Sequence, residues 1–155
     1  MYALVRGFRP EIVVEFGTSF GISTIHLAAG VSDNGTGRVV TTELSDRKAT
    51  AARENLEEAG LAGVLTILPG DALETLGGVS GPVGIVLLDG WKGLYLPVLR
   101  LLQPRLTPGA RVIADDTGLE SAAGYLAHVR DPGSGFVSAD CPVDGGVEVS
   151  CWTGP

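Results

Sequence analysis

The chain has 155 residues, of which 45% are hydrophobic and 19% charged, so it is long enough for one domain with a buried core. Its formal net charge is −7 and no stripe of Lys and Arg is visible, which argues against a nucleic acid as partner. Because no apolar run approaches the roughly 20 residues that cross a bilayer and no signal-peptide pattern is present, we predict a cytoplasmic protein without a membrane partner.

Apolar segments rich in Val and Ile alternate with segments of helical character. The predicted strands are Ile12–Phe16, Val39–Leu44, Val64–Leu68, Val83–Leu88 and Ala110–Ala114. The predicted helices are Gly21–Val31, Asp46–Ala59, Ala72–Leu76, Leu94–Leu106 and Leu119–Val129. Ser45 and Gly60 are expected to cap the second helix, and Pro108-Gly109 to end the fourth. The alternation predicts an α/β, Rossmann-like, doubly wound sheet in a single domain over residues 1–155.

The pattern changes after Val129. The segment "GFVSADCPVDGGVEVSCWT" reads as two extended runs joined at Asp144-Gly145-Gly146, which is a hairpin signal. The hairpin brings the sheet to seven strands, mostly parallel, with an antiparallel last strand. Cys141 and Cys151 lie in this hairpin and are predicted to be reduced structural thiols, with a cross-strand disulfide as the alternative.

The first strand runs into the turn "EFGTSFG". Gly17 lets the chain leave the strand tightly, and Gly21 is expected to allow close approach of the backbone to a ligand. Helix N-terminal amides at this edge favour a carboxylate or a phosphate, and ligands of doubly wound sheets bind here. Thr18 and Ser19 follow Gly17, so the G-x-G-x-x-G motif of dinucleotide sites is absent.

Acidic residues lie at the ends of the first three strands. Glu15 would repel a pyrophosphate but suits a positively charged ligand, and Glu43 can accept hydrogen bonds from both hydroxyls of a ribose. Asp71 lies where an adenine would sit. A nucleoside with a cationic amino-acid tail, which describes S-adenosylmethionine, fits this pattern better than NAD. The alternative is that the glycines form an ordinary turn and the acids are solvated.

A second acidic group is predicted where the fourth and fifth strands end. Asp89 ends one strand and Asp115 and Asp116 end its neighbour, so these carboxylates should converge. Carboxylates so placed repel one another unless a cation lies among them, and oxygen ligands select Mg²⁺ or Ca²⁺. Such a cation could hold two oxygens of an acceptor while Lys92 takes a hydroxyl proton. Alternatively, Asp115 and Asp116 cap the last helix and Lys92 is a solvated surface charge.

The aromatic and imidazole side chains add little to this chemistry. Trp91 is expected to line one side of the pocket and to take no part in the chemistry. His26 and His128 fall within predicted helices, away from the strand ends. A serine–histidine–acid triad would need its base at the strand ends. A hydrolase of that type is therefore not predicted.

Four segments in order, "VVEFGTSFGIST", "LLDGWKGLY", "VIADD" and "FVSADCPVDGGVEVSCW", resemble class I S-adenosylmethionine-dependent O-methyltransferases, particularly the cation-dependent catechol and caffeoyl-CoA type. The resemblance implies methyl transfer to a hydroxyl of a small, catechol-like acceptor, with Lys92 as the catalytic residue. The residues predicted to bind the cofactor are Glu15, Gly17, Thr18, Ser19, Gly21, Ser23, Glu43, Asp71, Ala72, Asp89 and Trp91. Those predicted to bind the divalent cation, Mg or Ca, are Asp89, Asp115 and Asp116.

The chain departs from this family at several positions. Asp116 stands where the family usually has asparagine, and Gly90 where the catechol type has a larger side chain. Only about ten residues precede Glu11, where family members usually have helices that cover the site. We therefore expect either a homodimer whose partner completes the site or a pocket open to large acceptors. The alternative functions are a metal-independent methyltransferase, a cofactor-binding module with little catalysis, and a nucleotide-dependent oxidoreductase.

Overall fold

A seven-stranded sheet forms the centre of the computed structural model, which describes residues 1–143 and 145–154. Its strands are β1 (Ile12–Phe16), β2 (Arg38–Glu43), β3 (Leu65–Pro69), β4 (Val83–Leu88), β5 (Leu106–Asp115), β6 (Phe136–Cys141) and β7 (Val147–Trp152). The strand order is β3-β2-β1-β4-β5-β7-β6, with β1 to β5 parallel and β7 antiparallel to both of its neighbours. The predicted doubly wound sheet with an antiparallel last strand is thus confirmed.

Helices cover both faces of the sheet. The α-helices within the described residues are α1 (Tyr2–Phe8), α2 (Ile22–Asn34), α3 (Asp46–Glu58), α4 (Ala72–Thr75), α5 (Tyr95–Leu102) and α6 (Ala123–Val129). Side chains alternate along β1, so that Val13 joins a core with α1, α2 and α3, whereas Val14 and Phe16 join a core with α4, α5 and α6. None of these helices combines the length and the apolar composition that a membrane crossing requires.

The fourth predicted helix and the fifth strand differ from the prediction. The helix α5 ends at Leu102, and Pro108-Gly109 lie inside β5 instead of ending a helix. In the β4–β5 ladder Val83 pairs with Leu106 and Ile85 with Arg111, so residues 107–110 lie opposite a single residue of β4. Because Pro108 has no N–H to donate to a ladder, a bulge at this point lets the strand continue on both sides of it.

The helix α1 was not predicted. It packs on α2 through Val5, which is wholly buried, and a Cβ added to Gly30 of α2 would lie 2.7 Å from the Val5 Cβ. The Asn34 side chain donates a hydrogen bond to the Val5 carbonyl at 2.9 Å. With one buried side chain in seven residues, α1 has too little hydrophobic periodicity to be read from sequence.

The C-terminal hairpin forms as predicted, although Asp144 of its turn lies outside the described residues. Cys141 pairs with Val147 and Cys151 with Val137, which places the two cysteines towards opposite ends of the hairpin. Both thiols are free. The reduced thiols are thus confirmed and the cross-strand disulfide is not formed.

An ion pair between a buried glutamate and a half-exposed arginine anchors the hairpin to the end of α6. Glu148 of β7 is wholly buried, and its carboxylate accepts hydrogen bonds from the Arg130 Nε at 3.0 Å, the Arg130 Nη2 at 2.5 Å and the Ser138 hydroxyl at 2.5 Å. The hydrogen bonds from the Arg130 guanidinium hold the pKa of Glu148 below its ordinary value. The hairpin therefore depends on one charge-assisted contact as well as on its ladder.

Substituting Arg130 by Met should destabilise the fold, because the buried Glu148 carboxylate loses its cation and two donors. We expect the free energy of unfolding to fall by about 2 kcal/mol at neutral pH, measured by denaturant unfolding. The value is modest because the Arg130 side chain is 48% exposed. Arg47→Met, at an exposed position of α3, is the control and should change stability little.

The same pair predicts a pH dependence. Since the pKa of Glu148 is lowered by folding, its contribution is complete above the ordinary glutamate pKa of about 4.3 and is lost as the pH falls through the lowered value. The stability difference between wild type and Arg130→Met should therefore shrink in acid. A difference that stayed constant down to about pH 2 would contradict this origin.

Candidate functional site

The site lies at the carboxyl edge of the sheet, between β1 and β4, where the strand order reverses direction. A cleft of about 410 Å³ opens there. It is lined by the ends of β1 and β2 and by the segments that follow β1, β2, β3 and β4: Phe16, Gly17, Ser19, Thr42, Glu43, Leu44, Lys48, Gly70, Asp71, Ala72, Asp89, Gly90, Trp91 and Leu94. Small-molecule sites of α/β proteins are clefts of this size in this place.

The turn after β1 touches the end of β4. Gly17 has φ +104°, and a Cβ at this position would lie 2.7 Å from both the Asp89 carbonyl oxygen and the Gly90 nitrogen. The Asp89 N–H donates to the Phe16 carbonyl at 2.9 Å. Only glycine allows this approach, because the crowding atoms belong to the backbone. The Phe16 ring in turn fills the space beside Gly90, where a Cβ would lie 2.6 Å from it.

Glu15 lies beneath the turn rather than in the cleft. Its carboxylate is wholly buried and accepts hydrogen bonds from the hydroxyls of Ser23 at 2.6 Å, Thr41 at 2.7 Å and Thr24. Burial raises the pKa of Glu15, and the three hydroxyl donors oppose that rise. The side chain thereby ties the start of α2 to β1 and β2, and it meets no solvent.

The structure divides the residues predicted for the cofactor into two groups. One group lines the cleft: Gly17, Ser19, Glu43, Asp71, Ala72, Asp89 and Trp91. The other lies on the α2 side of the turn and does not line it: Glu15, Thr18, Gly21 and Ser23. Within the second group, Thr18 is buried and shares a hydrogen bond of 2.6 Å with the Thr41 hydroxyl. A Cβ on Gly21 would lie 2.9 Å from the Leu56 side chain, so this glycine packs closely on α3.

Backbone amides orient two carboxylates at neighbouring strand ends. Glu43 accepts from the Ser19 N–H at 2.8 Å through one oxygen and from the Ser45 N–H at 3.0 Å through the other. Asp71 is the N-cap of α4 and accepts from the Leu73 N–H at 2.7 Å. Both residues line the cleft with fixed carboxylates that retain acceptor capacity.

Sequence reasoning missed Lys48 and Leu44 as cleft residues. The predicted N-cap Ser45 is confirmed, accepting from the Lys48 N–H at 3.4 Å, and it starts α3 directly after β2. The first turn of α3 therefore reaches the carboxyl edge, and the Lys48 Nζ lies 5.8 Å from the centre of the Phe20 ring. The short link between β2 and the N-cap was the available signal.

An acidic cluster adjoins the cleft. One carboxylate oxygen from each of Asp89, Asp115 and Asp116 lies within 4.8 Å of the others. The Lys92 Nζ lies 3.7 Å from Asp89 Oδ1 and 3.2 Å from Asp116 Oδ2. Burial raises the pKa of Asp89, opposed by Lys92 and reinforced by the other two carboxylates. An all-oxygen donor set of this charge fits a hard divalent cation.

The alternative interpretations of Lys92 and the aspartates do not match the geometry. The Lys92 side chain is only 12% exposed, and its Nζ lies 5.5 Å from the centre of the buried Tyr95 ring. The Tyr95 hydroxyl donates to the Asp115 carbonyl at 3.0 Å. No side chain caps the N-terminus of α6. The Lys92 ammonium group is therefore fixed within the cluster by Asp89 and Asp116 and is not a solvated surface charge. Asp115 and Asp116 do not cap α6.

Known proteins match most of this chain. Residues 14–117 match the family described as a methyltransferase domain. The catechol O-methyltransferase of Mycobacterium tuberculosis is 36% identical over 129 residues, covering 83% of this chain and 57% of the relative. The catechol O-methyltransferase of Sus scrofa is 28% identical over 166 residues, covering 98% of this chain and 88% of the relative. The chain spans 52% of the Mus musculus catechol O-methyltransferase, at 29% identity over 141 residues.

Solved structures share the fold over nearly the whole chain. A cofactor-bound protein of MTB, Rv0187, superposes with a TM-score of 0.90 at 25% identity, covering 99% of this chain and 78% of that one. The O-methyltransferase from Bacillus cereus in complex with SAH gives a TM-score of 0.83 at 24% identity, covering 97% of this chain and 78% of that one. The solved structures share the fold, and by the family match and the relatives the chain belongs to the class I S-adenosylmethionine-dependent methyltransferases related to the catechol O-methyltransferases.

Proposed function

We propose that the protein binds S-adenosylmethionine in the cleft and transfers its methyl group to a hydroxyl of a small, catechol-like acceptor held at the acidic cluster. The observation that carries the proposal is the position of Asp89, which lines the cleft and also belongs to the cluster. A methyl donor in the cleft would lie next to the place where a hydroxyl is held and deprotonated. Several relatives that match this chain, including those of Sus scrofa and Mycobacterium tuberculosis, are catechol O-methyltransferases, which supports the acceptor class.

The cleft offers a complementary group for each part of the cofactor. Glu43 would accept hydrogen bonds from the ribose hydroxyls, and Asp71 with Ala72 would flank the adenine. Gly17 and Ser19 would contact the methionine part through their backbone, because Gly17 leaves no side chain in the way. Trp91 is 77% exposed at the cleft mouth, where its indole can cover a bound molecule.

The acidic cluster would hold Mg²⁺ or Ca²⁺ through Asp89, Asp115 and Asp116. When bound, such an ion supplies a Lewis acid that holds neighbouring oxygens of the acceptor and acidifies a hydroxyl. Lys92 is a cation while it pairs with Asp89 and Asp116; with a metal ion balancing these aspartates instead, a neutral Lys92 would accept the hydroxyl proton at Nζ. The oxygen attacks the methyl carbon, the carbon–sulfur bond breaks as the carbon–oxygen bond forms, and S-adenosylhomocysteine leaves. Positioning of the two reactants by the cleft and cluster provides much of the rate.

The homodimer remains a proposal. It is supported by exposed apolar side chains, of which Leu44 and Trp91 line the cleft and Phe20, Ile22 and Leu119 lie on segments that follow β1 and β5. A partner that covers these side chains would complete the site, whereas a monomer would leave it open to large acceptors. Sedimentation equilibrium distinguishes the two, because a dimer has twice the chain mass of 16.0 kDa.

Calorimetric titration of S-adenosylhomocysteine tests the cleft. We expect micromolar affinity for wild type and a loss of about tenfold or more for Glu43→Gln, because hydrogen bonds to charged groups contribute about 1.5–3 kcal/mol. Glu15→Gln should change the affinity by less than about threefold, since this carboxylate is wholly buried against protein hydroxyls. Thermal unfolding of each variant monitors the fold.

Two outcomes of this titration would contradict the assignment. No binding by wild type would reject the cofactor cleft. Equal weakening by Glu43→Gln and Glu15→Gln would return Glu15 to direct or relayed contact with the cofactor, as the sequence alone suggested.

Turnover measurements test Lys92 and the cation. With a catechol acceptor and Mg²⁺, Lys92→Met should lower kcat by about 10²–10⁴-fold while the affinity for S-adenosylhomocysteine stays within about threefold. Asp115→Asn should lower turnover together with Mg²⁺ affinity. Arg53→Met, at an exposed position of α3, is the control and should retain wild-type turnover.

Three results would contradict the roles proposed for the cation and for Lys92. Full turnover of wild type in EDTA would select the metal-independent methyltransferase. Binding of S-adenosylhomocysteine without turnover of any hydroxylated acceptor would select the cofactor-binding module. Equal loss of affinity and turnover in Lys92→Met would make Lys92 a structural residue.

A further inference from the structure

The turn of the C-terminal hairpin contacts the acidic cluster. The N–H of Thr117 donates to the Gly146 carbonyl at 3.0 Å, and the N–H of Gly118 donates to the Gly145 carbonyl at 2.9 Å. The β5–β7 ladder runs up to this point, with Asp115 opposite Val147. The segment that carries the second and third carboxylates is therefore held against the turn by backbone hydrogen bonds.

Asp116 is confined between the turn and Lys92. Its backbone has φ +52°, a left-handed conformation that costs a non-glycine residue roughly 1 kcal/mol or more. A Cβ added to Gly145, which has φ +80°, would lie 2.6 Å from Asp116 Oδ1. The other oxygen, Oδ2, lies 3.2 Å from the Lys92 Nζ. The carboxylate therefore occupies the space that a side chain at position 145 would fill.

We propose that Gly145 is a positioning residue for the acidic cluster: its missing side chain makes room for the Asp116 carboxylate, and the backbone bonds of its turn hold Asp116 in the left-handed conformation. The inference rests on the proposed function, in which Asp116 is a cation ligand. A side chain at position 145 would displace the flexible carboxylate rather than the backbone, because the crowding atom is Oδ1. The fold should then survive while the cluster loses its geometry.

Two other glycines with positive φ allow this role to be distinguished from that of an ordinary turn glycine. Gly146 has φ +78° in the same turn, but a Cβ there would approach Thr117 Oγ1 at 3.0 Å and the Gly118 nitrogen at 3.1 Å, and not Asp116. Gly60 has φ +72° after α3 with no atom within 4 Å of its added Cβ. Alanine at any of these positions incurs the strain of a positive φ, but only Gly145→Ala presses on the carboxylate.

The test measures Mn²⁺ binding by electron paramagnetic resonance of the free ion, with S-adenosylhomocysteine affinity and denaturant unfolding as parallel readouts. Gly145→Ala should weaken Mn²⁺ binding by about 10–100-fold, the range found for groups that orient metal ligands. Asp116→Ala is the reference for a lost ligand. Gly60→Ala should bind Mn²⁺ within about threefold of wild type, Gly146→Ala should weaken binding less than Gly145→Ala does, and all variants should keep their S-adenosylhomocysteine affinity.

Each result decides between the claims. Wild-type Mn²⁺ affinity in Gly145→Ala, with weakened binding in Asp116→Ala, would overturn the positioning role alone. No Mn²⁺ binding by wild type would overturn the cation part of the proposed function and this inference with it. Equal weakening by Gly146→Ala would assign the effect to the turn as a whole and overturn the role of Gly145. If Gly145→Ala does not fold, Gly145→Asn places a Cβ at the same point with a residue that tolerates positive φ.

Discussion

The close contact between the ends of β1 and β4 determines where both parts of the site lie. Gly17 brings the first turn to within van der Waals distance of the Asp89–Gly90 backbone, and the Asp89 N–H donates to the Phe16 carbonyl. The strand order reverses at this point, so the edge opens into a cleft. Asp89 is thereby placed on the boundary between a ligand cleft and an acidic cluster, which is what methyl transfer from one bound molecule to another requires.

Glu15, Glu148 and the acidic cluster are stabilised in three different ways. Glu15 is buried without a cation and depends on three hydroxyl donors, so burial raises its pKa. Glu148 is buried, and the hydrogen bonds from the half-exposed Arg130 lower the pKa of Glu148. Among the described residues, Lys92 is the one cation paired with the cluster of Asp89, Asp115 and Asp116, so carboxylates outnumber ammonium groups there and an excess negative charge remains. The first two carboxylates support the fold, whereas the excess charge of the third group is the feature that suits a divalent cation.

The C-terminal hairpin links the two kinds of carboxylate. Glu148 lies opposite Ala114 in the β5–β7 ladder, one step from the pair formed by Asp115 and Val147. Arg130 therefore anchors β7 close to the point where the chain turns into the cluster. Beyond that point the glycines of the hairpin turn receive hydrogen bonds from the residues that follow Asp116. An ion pair that stabilises the fold thus lies on the same element as the backbone that shapes the site.

The sequence by itself determined the strand–helix alternation, the five parallel strands with their final hairpin, and the acids at the strand ends. These features follow from side-chain periodicity and from the rule that parallel strands end at one edge, which are local or general properties. Only the tertiary structure decided that Glu15 lies beneath the turn, that Gly21 packs on α3, that Pro108 lies in a bulge of β5, and that Gly145 touches Asp116. Each of these depends on a contact between segments distant in sequence, and no local pattern specifies which side chain fills the space beside a given residue.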